Sequence, residues 1–223
     1  LEINLEESVE YTDELLVTAT RASENTPTTF STISDEKIEK QNLGQDLPFL
    51  LNQTPSVVVT SDAGAGVGYT GIRIRGSDNT RTNVTVNGIP VNDSESHGVF
   101  WVNMPDLASS IENIQVQRGV GSSTNGAGAF GASINIQTNT LNREPYAVVD
   151  NAFGSFNTRK HTVSAGTGLI NDRFALDARL SAIQSDGYID RASSDLKSYY
   201  LAGTYYGDKT MVKAIVFSGK EET

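Results

Sequence analysis

The chain has 223 residues and no cysteine, one tryptophan and two histidines. Without cysteine there are no disulfides, thiolate nucleophiles or cysteine-held metals, although the redox compartment stays open. His97 and His161 stand far apart with no clustered partner ligands, so no metal site is expected. Basic residues are scarce as well: 17 against 27 acidic ones give a net charge of -10. A surface without a basic stripe cannot displace counterions from a phosphate backbone, which argues against nucleic acid as a partner. No stretch approaches the roughly 20 apolar residues of a spanning helix, so a membrane crossing would have to use β-strands. The opening residues 1–10 are acidic and lack the basic-then-apolar pattern of a signal peptide.

Enzyme signatures fare no better. Gly126 to Gly131 reads G-x-G-x-x-G, but Ile134 and Ile136 alternate like a strand where a dinucleotide site needs a helix N-terminus. There is no P-loop lysine and no G-x-S-x-G elbow. Neither an enzyme nor a cofactor is expected.

What is present falls into three stretches. Residues 1–29 are polar, with an acidic cluster interrupted by the β-prone Leu15-Leu16-Val17-Thr18-Ala19-Thr20, and read as a flexible leader. Residues 30–140 read as a small mixed domain. Ser34 is placed to cap a helix over 34–41, and Asp46 to start a second with Leu47, Leu50 and Leu51 inward before Pro55. Strands are expected at 57–59, 72–75, 83–87, 114–117 and 133–138, with a short helix over 104–112.

Residues 141–223 change texture. Segments 145–156, 157–169, 172–185, 196–207 and 209–220 alternate, and turn residues such as Asn171-Asp172 and Gly207-Asp208 separate them. In 173–183, Phe174, Leu176, Ala178, Leu180 and Ala182 share one face, and Arg173, Asp177, Arg179 and Ser181 the other. One face suits lipid and the other water, yet a soluble sandwich alternates in the same way. About five strands cannot close a barrel, because such barrels start at roughly 8. The pattern therefore reads as an incomplete barrel or a soluble sheet, with incompleteness favoured.

Three blocks carry a family likeness: Gly71 to Gly76 (GIRIRG), Val84 to Pro90 (VTVNGIP) and Ile111 to Gly119 (IENIQVQRG). Together with the glycine-rich turn into Ser133-Ile-Asn-Ile136, they resemble the plug of TonB-dependent outer-membrane receptors. Val120, Asn125 and Ala132 depart from the usual residues at their positions. The resemblance implies an α+β plug, a small mixed sheet with short helices, followed by antiparallel strands of an incomplete transmembrane β-barrel.

It further implies active import of a scarce nutrient across the bacterial outer membrane, most often an iron chelate. Asp13, Glu14, Leu15, Leu16, Val17, Thr18 and Ala19 would then be the segment that recruits TonB in the periplasm. Tyr69, Arg81, His97, Phe100 and Trp101, on loops near 61–69, 77–81 and 92–103, would touch the substrate. Arg75 and Arg118 would anchor the plug to carboxylates of the barrel. Outer-membrane lipid would surround the barrel. A soluble plug-like module that binds or signals without transport stays open as the alternative.

Overall fold

The computed structural model describes residues 21–23, 25–121, 125–126, 128–139 and 142–223. The TonB-recruiting segment expected at 13–20 lies outside them.

The N-terminal half is built on a five-stranded mixed sheet. Strands β1 (Thr29–Ser34), β4 (Thr82–Val86), β5 (Ile89–Pro90), β6 (Ile111–Arg118) and β7 (Ala132–Thr138) lie in the order β1-β6-β7-β4-β5. Among the described residues only β4 and β7 run parallel. A hairpin of β2 (Val57–Ser61) and β3 (Thr70–Ile74) and two short helices, α1 (Asp35–Gln41) and α2 (Leu47–Leu50), complete it.

Alternation gives the main sheet two unlike faces. One register row is Ile33, Ile114, Ile136 and Val86, and the next brings Val116, Ile134 and Val84 together. These residues form the hydrophobic core with Ile38, Leu47, Leu50, Leu51 and Trp101. The opposite face carries Gln115, Gln117, Asn135 and Thr85, and it is buried too. Several of its polar groups bond one another: Asn125 donates to Gln117 (3.1 Å), Gln117 to Gln115 (3.0 Å) and Thr85 to Asn135 (2.9 Å).

Several local expectations needed correction. Ser34 precedes α1 but makes no side-chain cap, and the first-turn carboxylate Asp35 bonds the Glu36 amide instead. The helix expected over 104–112 shrinks to a 3₁₀ turn at Leu107–Ser110, with Ile111 and Glu112 already in β6. Asp106 breaks the helix there, because it sits in the left-handed region with φ 51°. Gly131, the last glycine of the fingerprint, lies against Ser77, where a Cβ would come within 2.3 Å of the serine Cβ. Close packing therefore requires that glycine.

The second sheet is an antiparallel meander of β8 (Tyr146–Phe153), β9 (Arg159–Gly166), β10 (Phe174–Ser185), β11 (Ser194–Tyr206) and β12 (Met211–Glu222). Asn171 and Asp172, both at positive φ, make the β9–β10 turn. The alternation read in β10 holds: Phe174, Leu176, Ala178 and Leu180 are exposed, and Ala175, Arg179, Ser181 and Ile183 are buried. Across the sheet, Val149, Val163, Leu180 and Tyr199 stand in one outward row. The inward face meets the N-terminal half.

Candidate functional site: the seam between the two halves

One part of the seam is apolar. Val67 and Val102 from the N-terminal half pack on Ile183 and Leu196 from the second sheet, and all four are essentially buried. Nearby, Ala63 O accepts from the amides of Tyr188 (2.8 Å) and Ile189 (3.3 Å), which joins loop 61–69 to the β10–β11 loop.

The rest is ionic and centres on Asp106, whose side chain has no exposed surface. Oδ2 accepts from Thr162 on β9 (2.7 Å) and Ser181 on β10 (2.6 Å), which are register partners. Oδ1 accepts from Asn42 Nδ2 (3.0 Å) and Ser109 Oγ (2.7 Å) within the N-terminal half. Two cations from the second sheet complete the shell: Lys160 Nζ at 3.5 Å and Arg179 Nη1 at 3.9 Å. Lys160 also donates to Asn42 O (3.1 Å) and Asp150 Oδ2 (2.7 Å), and Ser198 Oγ donates to Pro105 O (2.8 Å). Burial alone would raise the Asp106 carboxyl, but Lys160 and Arg179, aided by Ser181 and Thr162, hold it below the usual carboxylate range.

A second buried carboxyl behaves oppositely. Asp46 receives the Thr70 hydroxyl (2.8 Å) but has no cation beside it in an ion pair among the described residues. Burial pushes it up to about 7, against the Thr70 bond and with help from Glu221 on β12.

The residues expected from sequence scatter more widely. Arg75 and Arg118 come together at Pro55-Ser56: the Arg75 amide bonds Ser56 O (2.9 Å), and Arg118 Nη1 donates to Pro55 O (3.3 Å). Neither forms an ion pair among the described residues. Tyr69, Arg81, His97 and Phe100 are exposed, and Arg81 lies over the Phe130 ring at 6.0 Å. The loops at 77–81 and 92–98 meet, because a Cβ on Gly98 would come within 2.8 Å of Asn79 Nδ2. Trp101 is corrected: it is only 3% exposed and belongs to the core, so it presents no face to a ligand.

Asp106, Asn42 and Lys160 were not foreseen. The only signal was a pair of charged side chains, Lys160 and Arg179, at positions of the alternation that face inward.

A compact mixed domain bonded to the polar face of an antiparallel sheet, with the apolar face outward, is an arrangement that known proteins share. The family model for the TonB-dependent receptor plug domain matches residues 22–133. The chain belongs to that family.

The plug and its adjoining wall are also similar to a vitamin B12 transporter of Vibrio vulnificus (strain YJ016), 28% identical over 82% of this chain and 29% of that protein. The ferrienterobactin receptor of Escherichia coli (strain K12) is 27% identical over 88% of this chain and 28% of its own length. Among solved structures, the ferripyoverdine receptor of the outer membrane of Pseudomonas aeruginosa, bound to ferripyoverdine, superposes with a TM-score of 0.74. It is 17% identical, over 92% of this chain and 27% of that one. The chain thus spans under a third of the length of these relatives.

Two outcomes are expected of the seam in the full-length protein. Asp106→Ala strands buried Lys160 and Arg179 and should cost about 3–5 kcal/mol, read as earlier denaturant release and faster proteolysis of the plug. Asp106→Asn, which keeps the shape and tolerates the same backbone, should lose less. Asp46 titrates higher in the folded state than the about 3.9 of an unfolded aspartate. The folded form therefore binds more protons between about pH 4 and 7, and the stability this group contributes is full below that window and lost as pH rises through it. Asp46→Asn should flatten the fall between about pH 4 and 7 in denaturation curves. An unchanged slope would rule out Asp46 as its source.

Proposed function

We propose that this plug gates an outer-membrane transporter that imports a scarce nutrient, an iron chelate in the first instance, with energy delivered by TonB. The observation that carries the proposal is the two-sided wall: its polar face is bonded to the plug through Asp106, and its other face exposes Val163, Leu180, Leu201 and Val216. An apolar face of that extent suits lipid and counts against the soluble, non-transporting module, since monomers in water rarely expose large contiguous apolar patches. The names of the relatives, a vitamin B12 transporter and receptors for ferrienterobactin and ferripyoverdine, support import of a chelate.

On this reading the outer membrane holds the wall, the plug fills its lumen and the leader reaches the periplasm. Substrate binds against the exposed plug loops, with Tyr69, Arg81, His97 and Phe100 as the contacts. The segment Asp13 to Ala19 then pairs with TonB as an added strand, which lets a small interface carry force along the chain. The pull remodels part of the plug and opens a path. Arg75 and Arg118 are proposed to face carboxylates elsewhere on the barrel, where a guanidinium can bind in two parallel hydrogen bonds.

Deleting residues 13–20 from the full-length protein should abolish uptake and leave binding intact, measured with a panel of radiolabelled ferric chelates and cobalamin. Uptake that survives the deletion would place the coupling segment elsewhere. For the wall, Leu180→Arg should lower stability in lipid by about 2–4 kcal/mol if Leu180 lies near the bilayer midplane. A neutral effect would reopen the soluble module.

A further inference from the structure

We propose that Asp46 of the plug and Glu221 of the wall form a carboxyl–carboxylate pair that seats loop 61–69 against the wall while they share one proton and loosens it once they hold none. The inference rests on the seam alone and not on what the receptor carries.

The fold brings the two side chains together from opposite sides. Asp46 stands just ahead of α2, and its amide donates to Gly66 O (2.8 Å), which ties it to the loop that carries Val67. Val67 packs with Leu196 of β11, and Leu196 is the register partner of Glu221 on β12. Register partners share a face of the sheet, so Glu221 is on the plug side with Leu196. One residue further along the loop, a Cβ on Gly68 would come within 2.7 Å of Ser194 Oγ and 3.7 Å of Thr223 Cγ2. The loop therefore lies directly on the ends of these two strands.

The pair has no counter-charge. Asp46 is buried, and its Oδ2 accepts from the Thr70 hydroxyl (2.8 Å). Glu221 Oε2 is buried as well and accepts no hydrogen bond among the described residues. The elements packed here present neutral groups: Thr70 from β3, Ser194 and Leu196 from β11, and Val102 from the turn at Trp101–Asn103. The titratable groups of the loop itself, Asp62 and Tyr69, are exposed. Lys197 and Lys220 are register partners on the outward face, and there they pair with Asp195 (3.5 Å) and Glu222 (2.6 Å).

A buried carboxylate with no cation beside it is neutralised by a proton instead. One proton between Asp46 and Glu221 gives the orphaned Oε2 a donor and leaves the pair a single negative charge. Two bare carboxylates repel across the seam. Burial, reinforced by the Glu221 charge, accordingly pushes Asp46 up to about 7. Beside Glu221 lies a cavity of about 240 Å³ lined by Val102, Asn103 and Phe217, which gives water and the glutamate side chain room once the proton is lost. Rising pH thus loosens loop 61–69, with Tyr69 on it, while the Asp106 contact keeps the rest of the plug in place because its charges are paired.

Spin labels on Ala65→Cys and Ser193→Cys, placed in this cysteine-free stretch of the full-length receptor in lipid, read the loop-to-wall distance at about pH 5 and about pH 8.5. One narrow distance is expected at the lower pH and a longer, broader distribution at the higher. Asp46→Asn and Glu221→Gln each replace one charge by an amide that can donate to the remaining carboxylate, and each should keep the narrow distance at both pH values. In infrared difference spectra, a protonated-carboxyl band should disappear with a midpoint at about pH 7. It should be missing from Asp46→Asn and should titrate at lower pH in Glu221→Gln, where the neighbouring negative charge is gone. A wild-type distance that ignores pH overturns the proposal, and it decides the matter even where a variant fails to insert. A midpoint that Glu221→Gln leaves in place overturns it too. So does loosening by EDTA at the lower pH, which would show a metal ion, not a proton, joining the pair.

Discussion

The arrangement depends on one buried carboxylate. Asp106 reaches the seam because its residue adopts a left-handed backbone, and there it accepts hydrogen bonds from both halves of the chain. Taking a carboxylate out of water costs several kcal/mol unless cations and donors replace the lost hydration. Here four donors and two cations do so, and they come from the plug and from two neighbouring wall strands. A contact of this kind is intolerant of displacement, because a small shift leaves buried charges unpaired. The apolar contact of Val67 and Val102 on Ile183 and Leu196 lies alongside it and adds area without that directional demand.

The two sheets solve different problems with the same period of two. In the wall, one face exposes Val149, Val163, Leu180 and Tyr199 and the other carries Lys160, Thr162, Arg179 and Ser181 towards the plug. In the plug sheet both faces are buried, so the polar one could not be left to water. Amide and hydroxyl side chains suit it, since each can donate and accept and they bond one another without net charge. Such a face can also hold a passing main chain, as Gln115 holds Ala22, without committing it to a strand ladder.

Much of this was legible in the residues. The five alternating segments after 141 became β8 to β12 with the outward and inward faces of β10 as read, and the blocks GIRIRG, VTVNGIP and IENIQVQRG lie in and around β3, β4 and β6. The failures have physical causes. The periodicity over 104–112 suggested a helix but gave no sign that Asp106 would take a left-handed conformation in answer to partners far along the chain. Trp101 read as a ligand contact because its loop is polar, and its ring is buried in the core cluster instead. Arg75 and Arg118 were singled out by motif, whereas Asp106, Asn42 and Lys160 belong to no motif and meet only in three dimensions.

The sequence by itself determined the kind of element at most positions, which side of each strand is apolar, and the family, because these depend on local periodicity and on residues close together in the chain. Only the tertiary structure decided which charges are buried, which of them pair, and that Ala22 is gripped by a glutamine 93 positions away. Burial and pairing are properties of surfaces brought together by folding. No local pattern encodes them, since the same aspartate is solvated and unremarked until two cations arrive from a distant sheet.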